Sequence, residues 1–218
     1  MNTWYYRGYI GQVISELEMM KMVIERILSI VDDEVSSAHK RFRIQSEKIP
    51  DEGLDSDREE LWVSQDLIPR HIINSLFISM FSLFEDEMVK ICELLGNKTK
   101  GAEAFKDYKN GIGISKCKKY LKEMFAVSVE DYTSWQEIPN IKGLRNMISH
   151  NNGRLEDRDQ RASERLKNYI DASEILSLDE FTLIVIDRQY LYHVENVFRA
   201  FLKDLLSDLE ARQLLKPT

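Results

Sequence analysis

Six consecutive residues, Arg145-Asn146-Met147-Ile148-Ser149-His150, bring together the side chains of this sequence best suited to acting on a phosphodiester. An imidazole titrates near neutrality, and in the last turn of a helix it faces the negative pole, which favours its protonated form. Arg145 adds a permanent cation whose planar fork matches a phosphate. Together they supply what RNA cleavage by its own 2′-hydroxyl requires. A base takes the hydroxyl proton, the oxygen attacks the neighbouring phosphorus, and a cation stabilises the developing charge. That route calls for neither a metal nor a cofactor. Spacing sets a condition: five residues is about 140° around an ideal helix, so the two side chains leave it in different directions. Convergence on one phosphate requires the cap turn, or a second copy of the motif across a dimer axis.

The motif needs a helix to carry it. Pro139 suits a first helical position and Asn151-Asn152-Gly153 a stop. Between them Leu144, Met147 and Ile148 form a buried stripe, leaving Arg145, Asn146, Ser149 and His150 on the flank and at the end. Upstream, Val13, Leu17, Met20, Ile24, Ile27, Val31 and Val35 predict one long amphipathic helix over 10–41. Residues 44–60, with Pro50, Gly53, Asp51, Glu52, Asp55, Asp57, Glu59 and Glu60, read as a flexible acidic connection inside a single domain spanning 1–218. A second helix starts near Trp62 or Leu67 and runs to about Leu95, where Gly96-Asn97 stops it. It is apolar nearly all round from Ile72 to Phe84, which suits the middle of a bundle or a dimer interface. Glu85 follows on its apolar side, either paired with an arginine or reaching solvent at the boundary.

Residues 98–127 read as one or two short helices around Gly111-Ile112-Gly113. Ser115 is placed to cap the second, with Cys117, Tyr120, Leu121 and Met124 packing inward. Eight lysines between Lys98 and Lys122 face only Glu103 and Asp107. The plain reading is a solvated face; the functional one is a phosphate-guiding surface of Lys116, Lys118 and Lys119, joined by Lys142 from the motif helix. Residues 154–172 form a polar surface helix or loop. Residues 181–186 are the one strand-like run, without a clear strand partner, and read as an extended lead-in. Asp187 then caps a last helix lined by Leu191, Val194, Val197, Phe198, Phe201, Leu202, Leu205, Leu206 and Leu209.

The whole chain sets bounds. Its 218 residues, 43% hydrophobic and 31% charged, can bury a core without staples. A net charge of -7 excludes indiscriminate coating of nucleic acid and confines RNA contact to a local patch. Cys92 and Cys117 lack metal or redox spacing, so neither a disulfide nor zinc is expected, and a reducing cytoplasm is the expected location. The N-terminus lacks a signal-peptide pattern, and no apolar run approaches the ~18 residues of a membrane span. Walker A, Rossmann and GxSxG patterns are missing. His39, His71 and His193 read as lone surface or boundary residues, not metal ligands.

Arg-Asn-Met-Ile-Ser-His resembles the Arg-x4–6-His signature of HEPN (higher eukaryotes and prokaryotes nucleotide-binding) domains, with Asn146 as the polar residue favoured after the arginine. The long helical chain and the apolar helix ending in Leu83-Phe84-Glu85 agree with it. The match is sharp only at those six residues. The resemblance implies an all-α, up-and-down helical bundle that dimerises to form a composite ribonuclease site. In it Arg145 and His150 take the catalytic places and Asn146 the auxiliary one, with Glu85 and Ser149 in support. It also implies RNA as substrate, a homodimer, and a toxin or antiviral setting with a cognate antitoxin or defence-system protein as partner. The alternative is a non-catalytic dimerisation and partner-binding module. There His150 caps a helix end and Arg145 merely pairs with Glu85.

Overall fold

Leu17, Ile24, Val31 and Ala38 recur at seven-residue intervals and are buried, with Val13 and Leu28 beside them. Such a period keeps one stripe turned towards its neighbours over many turns. It produces a single helix, α1 (Thr3–Ser46), longer at both ends than the sequence pattern indicates. The computed structural model describes residues 3–48, 53–155 and 160–214.

The expected loop over 44–60 is largely helix. α1 runs through Ser46 and α2 (Asp55–Trp62) begins soon after. Asp55 and Asp57 sit in its first turn, where the helix dipole favours negative charge. Arg41 ties the two helices together, reaching Glu34 at 2.9 Å and Glu60 at 3.1 Å. Pro50, Asp51 and Glu52 lie outside the described residues. A π-helical turn, Val63–Leu67, joins α2 to α3 (Ile68–Lys98), with Pro69 in the first turn of α3. Gly96 does not end α3. It lies inside the helix because the Tyr120 hydroxyl fills the space a Cβ would need.

By length and composition Asp55–Lys98 reaches the threshold of a membrane span, contrary to the sequence expectation. Within it Phe77, Met80, Phe81, Phe84 and Met88 are fully buried, although only 28% of its most apolar window is buried. Only one helix, α4 (Gly113–Phe125), forms within 98–127. Cys117, Tyr120 and Leu121 point inward as expected, while Met124 is half-buried. Two 3-10 turns, Val129–Asp131 and Thr133–Gln136, lead into α5 (Ile138–Asn151). It ends as the sequence indicates, with Asn152 and Gly153 at φ 51° and 80° and the Gly153 N–H donating to the Met147 carbonyl at 3.1 Å.

α6 (Gln160–Asp171) follows, burying Leu166 and Ile170. The strand-like run does have a partner. β1 (Leu176–Leu178) pairs antiparallel with β2 (Ile184–Ile186), Leu176 opposite Ile186. Asp187 caps α7 (Arg188–Ala211) as expected, accepting from the Gln189 N–H at 2.7 Å. α1, α3 and α7 pack against one another, α5 packs on α3 and α7, α4 packs on α3, and α6 packs on α5. The fold is all-α with a two-strand ribbon. At its centre Phe84 lies parallel to Phe198, ring centroids 4.0 Å apart, and meets the edge of Phe201 at 5.5 Å.

Candidate functional site

α5 buries Ile138, Ile141, Leu144 and Ile148, while Met147, expected in that stripe, is half-buried. Arg145 lies beside the stripe, its side chain 24% exposed and its guanidinium 5.4 Å from the Phe81 ring centre. Nη1 donates to Asn146 Oδ1 at 3.0 Å, and Nη2 lies 3.8 Å from Glu85 Oε2. The second distance is an ion pair, too long for a hydrogen bond. Nε is buried without a hydrogen-bond partner among the described residues.

Glu85 serves two helices besides its own. Oε1 accepts from the Ile114 N–H at 3.0 Å, in the first turn of α4, while Oε2 faces Arg145. The N-terminal N–H groups of a helix have no partner within it, and the dipole there favours an anion. Glu85 supplies that anion from α3, so Ser115 is not the cap. Gly113, at φ 52°, makes room: a Cβ there would overlap the Glu85 carboxylate. The Ser115 hydroxyl accepts instead from Lys142 Nζ at 3.0 Å. Lys142 precedes Arg145 by three residues and shares its flank of α5. α3, α4 and α5 thus meet at one charged junction.

His150 and Ser149 are exposed in the last turn of α5. Among the described residues His150 makes no hydrogen bond to Arg145, Asn146 or Glu85. One chain gathers Arg145, Asn146, Glu85 and Lys142 at this junction. The lysines separate by partner. The Lys116 ammonium sits over the Phe105 ring at 4.4 Å, and Lys119 donates to Asn110 Oδ1 at 3.1 Å. Lys118 pairs with Glu130 at 3.1 Å, with Lys122 on the same carboxylate at 3.5 Å. The bond from Lys118 holds the Glu130 carboxyl below the usual range. Glu130 lies beyond the run in which only Glu103 and Asp107 were counted.

A second cluster escaped the sequence. His193 Nε2 lies 2.6 Å from Glu137 Oε2, an oxygen that also accepts from the Tyr169 hydroxyl at 3.0 Å. The buried Tyr190 hydroxyl is 3.3 Å from that of Tyr169. Burial pushes Tyr169 up to about 12. His193 is therefore no lone residue, but its partner is 56 positions away and no local spacing announces it. Glu137 precedes the first turn of α5, so the cluster fastens the start of the motif helix to α6 and α7.

No family model, curated protein or solved structure matches the chain. Among the described residues no three His, Cys, Asp or Glu side chains are grouped to hold a metal ion. Cys92 and Cys117 are buried and unlinked. Burial raises the Cys92 thiol well above its ordinary value.

Proposed function

We propose that the chain is a metal-independent endoribonuclease of the HEPN type, a homodimer acting on cellular RNA in the cytoplasm as a toxin or antiviral effector. A cognate antitoxin or defence-system protein would restrain or trigger it. The observation that carries this reading is Arg145, held half-exposed by Asn146 and Glu85 on the helix that ends in the exposed His150. In each composite site an arginine binds the scissile phosphate. The histidine of one protomer removes the 2′-hydroxyl proton as that oxygen bonds to phosphorus. The P–O5′ bond breaks, and a solvent water delivers a proton to the departing oxygen. The products are a 2′,3′-cyclic phosphate and a 5′-hydroxyl end. Lys116, Lys119 and Lys142 guide the backbone.

Purified protein is expected to cleave RNA without added metal. His150→Ala should reduce the rate by about 10²- to 10⁴-fold with its helical circular dichroism unchanged. Failure of the wild type to cleave a broad set of RNAs while it binds a partner protein tightly would reject the enzyme. The competing module reading draws on the outer face of α1, where Met19, Met22, Val23 and Ile30 are exposed. These residues suit contact with another helix.

A further inference from the structure

Ile112 is 82% exposed, the highest value among the exposed large hydrophobic residues described. Single apolar residues on a surface are ordinary, but this one is held in place. Gly111 and Gly113 flank it at φ 109° and 52°, a backbone region that side chains with a Cβ rarely adopt. Its carbonyl accepts from the Lys116 N–H at 3.2 Å. Asn110 is fastened on both sides of its amide, accepting from Lys119 at 3.1 Å and donating to Glu123 at 3.2 Å. Two residues on, Ile114 donates to Glu85, the carboxylate that faces Arg145. Tyr108, just before the turn, is buried with its ring 5.2 Å from Tyr120. A loop fastened at this many points cannot fold its tip back to hide an apolar side chain.

The surroundings indicate what covers that side chain. Lys109 and Lys119 are exposed around the tip, Lys116 lies over the Phe105 ring, and Lys142 and Arg145 stand at the charged junction. Of the carboxylates in this region, Glu85 is held by Arg145 and the Ile114 N–H and Glu123 by Asn110, which leaves Glu103 and Asp107 against the lysines. Two such cationic collars repel one another, which disfavours a second copy of this chain as the occupant. A ligand that is polyanionic along its length and flat and apolar at intervals satisfies both features. Unpaired RNA has that chemistry, whereas in a duplex the base faces are stacked away.

We infer that Ile112 is a base-contacting finger, packing on an unpaired base while the adjoining phosphate sits at Arg145. The enzyme thereby selects single-stranded over duplex RNA. This rests on the ribonuclease reading and adds a specificity-determining residue to it. The test uses full-length His150→Ala protein, which binds without cutting, and a labelled oligoribonucleotide offered either as a single strand or as a hairpin stem. Adding Ile112→Ser should weaken single-strand binding roughly tenfold, the scale of one base contact, and leave stem binding unchanged. Ile112→Phe should retain the preference. Equal single-strand affinity with and without Ile112→Ser would overturn the finger, as would an equal loss on both RNAs. So would a shift from dimer to monomer on sedimentation of Ile112→Ser, which would make the tip a contact between copies. Absence of any RNA binding by His150→Ala would instead strike the ribonuclease reading itself.

Discussion

Glu85 is the residue on which the junction depends. Its carboxylate offsets Arg145 and fills the anion seat at the start of α4. Glu85→Ala leaves a half-buried guanidinium and a helix N–H without partners, and should lower unfolding free energy in urea by about 1–3 kcal/mol. Glu85→Gln keeps an acceptor for Ile114 and should cost clearly less; equal losses would show that capping contributes little. Glu195 behaves differently. It is buried against Arg199 at 3.3 Å, and burial raises its carboxyl above the ordinary value. Between the ordinary carboxyl value and this raised one, folding takes up protons at Glu195. Its contribution is fully present below about pH 4.3 and is lost as pH rises through the raised folded value. Glu195→Gln should raise the Tm relative to wild type at pH 7, with the difference vanishing near pH 4. At this scale the sequence offered Arg145 as a partner for Glu85, because both lie beside apolar stripes. It offered no partner for His193, because Glu137 becomes a neighbour only when α5 and α7 pack.

Among the elements, α5 is positioned by contact on two sides. Its charged flank meets α3 and α4, while Gly143 touches α6: a Cβ there would lie 2.7 Å from Leu166 Cδ2. Gly143→Ala gains helix propensity but asks both methyl groups and Cγ of the buried Leu166 to shift, so the gain is offset. Gly143→Val pushes α6 away and should destabilise by about 1–3 kcal/mol. Protease cleavage within α6, read by mass spectrometry, should then quicken; unchanged cleavage would mean that α6 tolerates the displacement. Helices were legible wherever apolar residues recur at helical spacing, as in α1, α3 and α7. Their ends were less so. α2 looked like a loop because its acids are locally polar, yet they favour a helix start, and Arg41 of α1 supplies the pairing. β1, at three residues, carries too little pattern to stand out in the sequence.

For the whole molecule, the proposed chemistry calls for a dimer because five residues set Arg145 and His150 about 140° apart around an ideal helix. Arg145→Ala and His150→Ala proteins, each inactive alone, should recover part of the wild-type rate when unfolded and refolded together. One of the two mixed sites then has both groups intact. No recovery in a verified heterodimer would place both groups of each site on one chain. The core that holds the bundle centres on Phe84, and Phe84→Ala should cost about 3–5 kcal/mol. What the sequence determined alone is whatever depends on neighbours along the chain: the long helices, the Asn152–Gly153 stop, the Asp187 cap, and a histidine placed at a helix end near an arginine. Tertiary structure decided what depends on pairs far apart. It gave Lys118 to Glu130, seated Glu85 at both α4 and α5, set His193 on Glu137, and left Ile112 outside. The reason is physical: periodicity records which face of a helix is apolar, but a charge finds its partner only once packing has fixed which helices stand side by side.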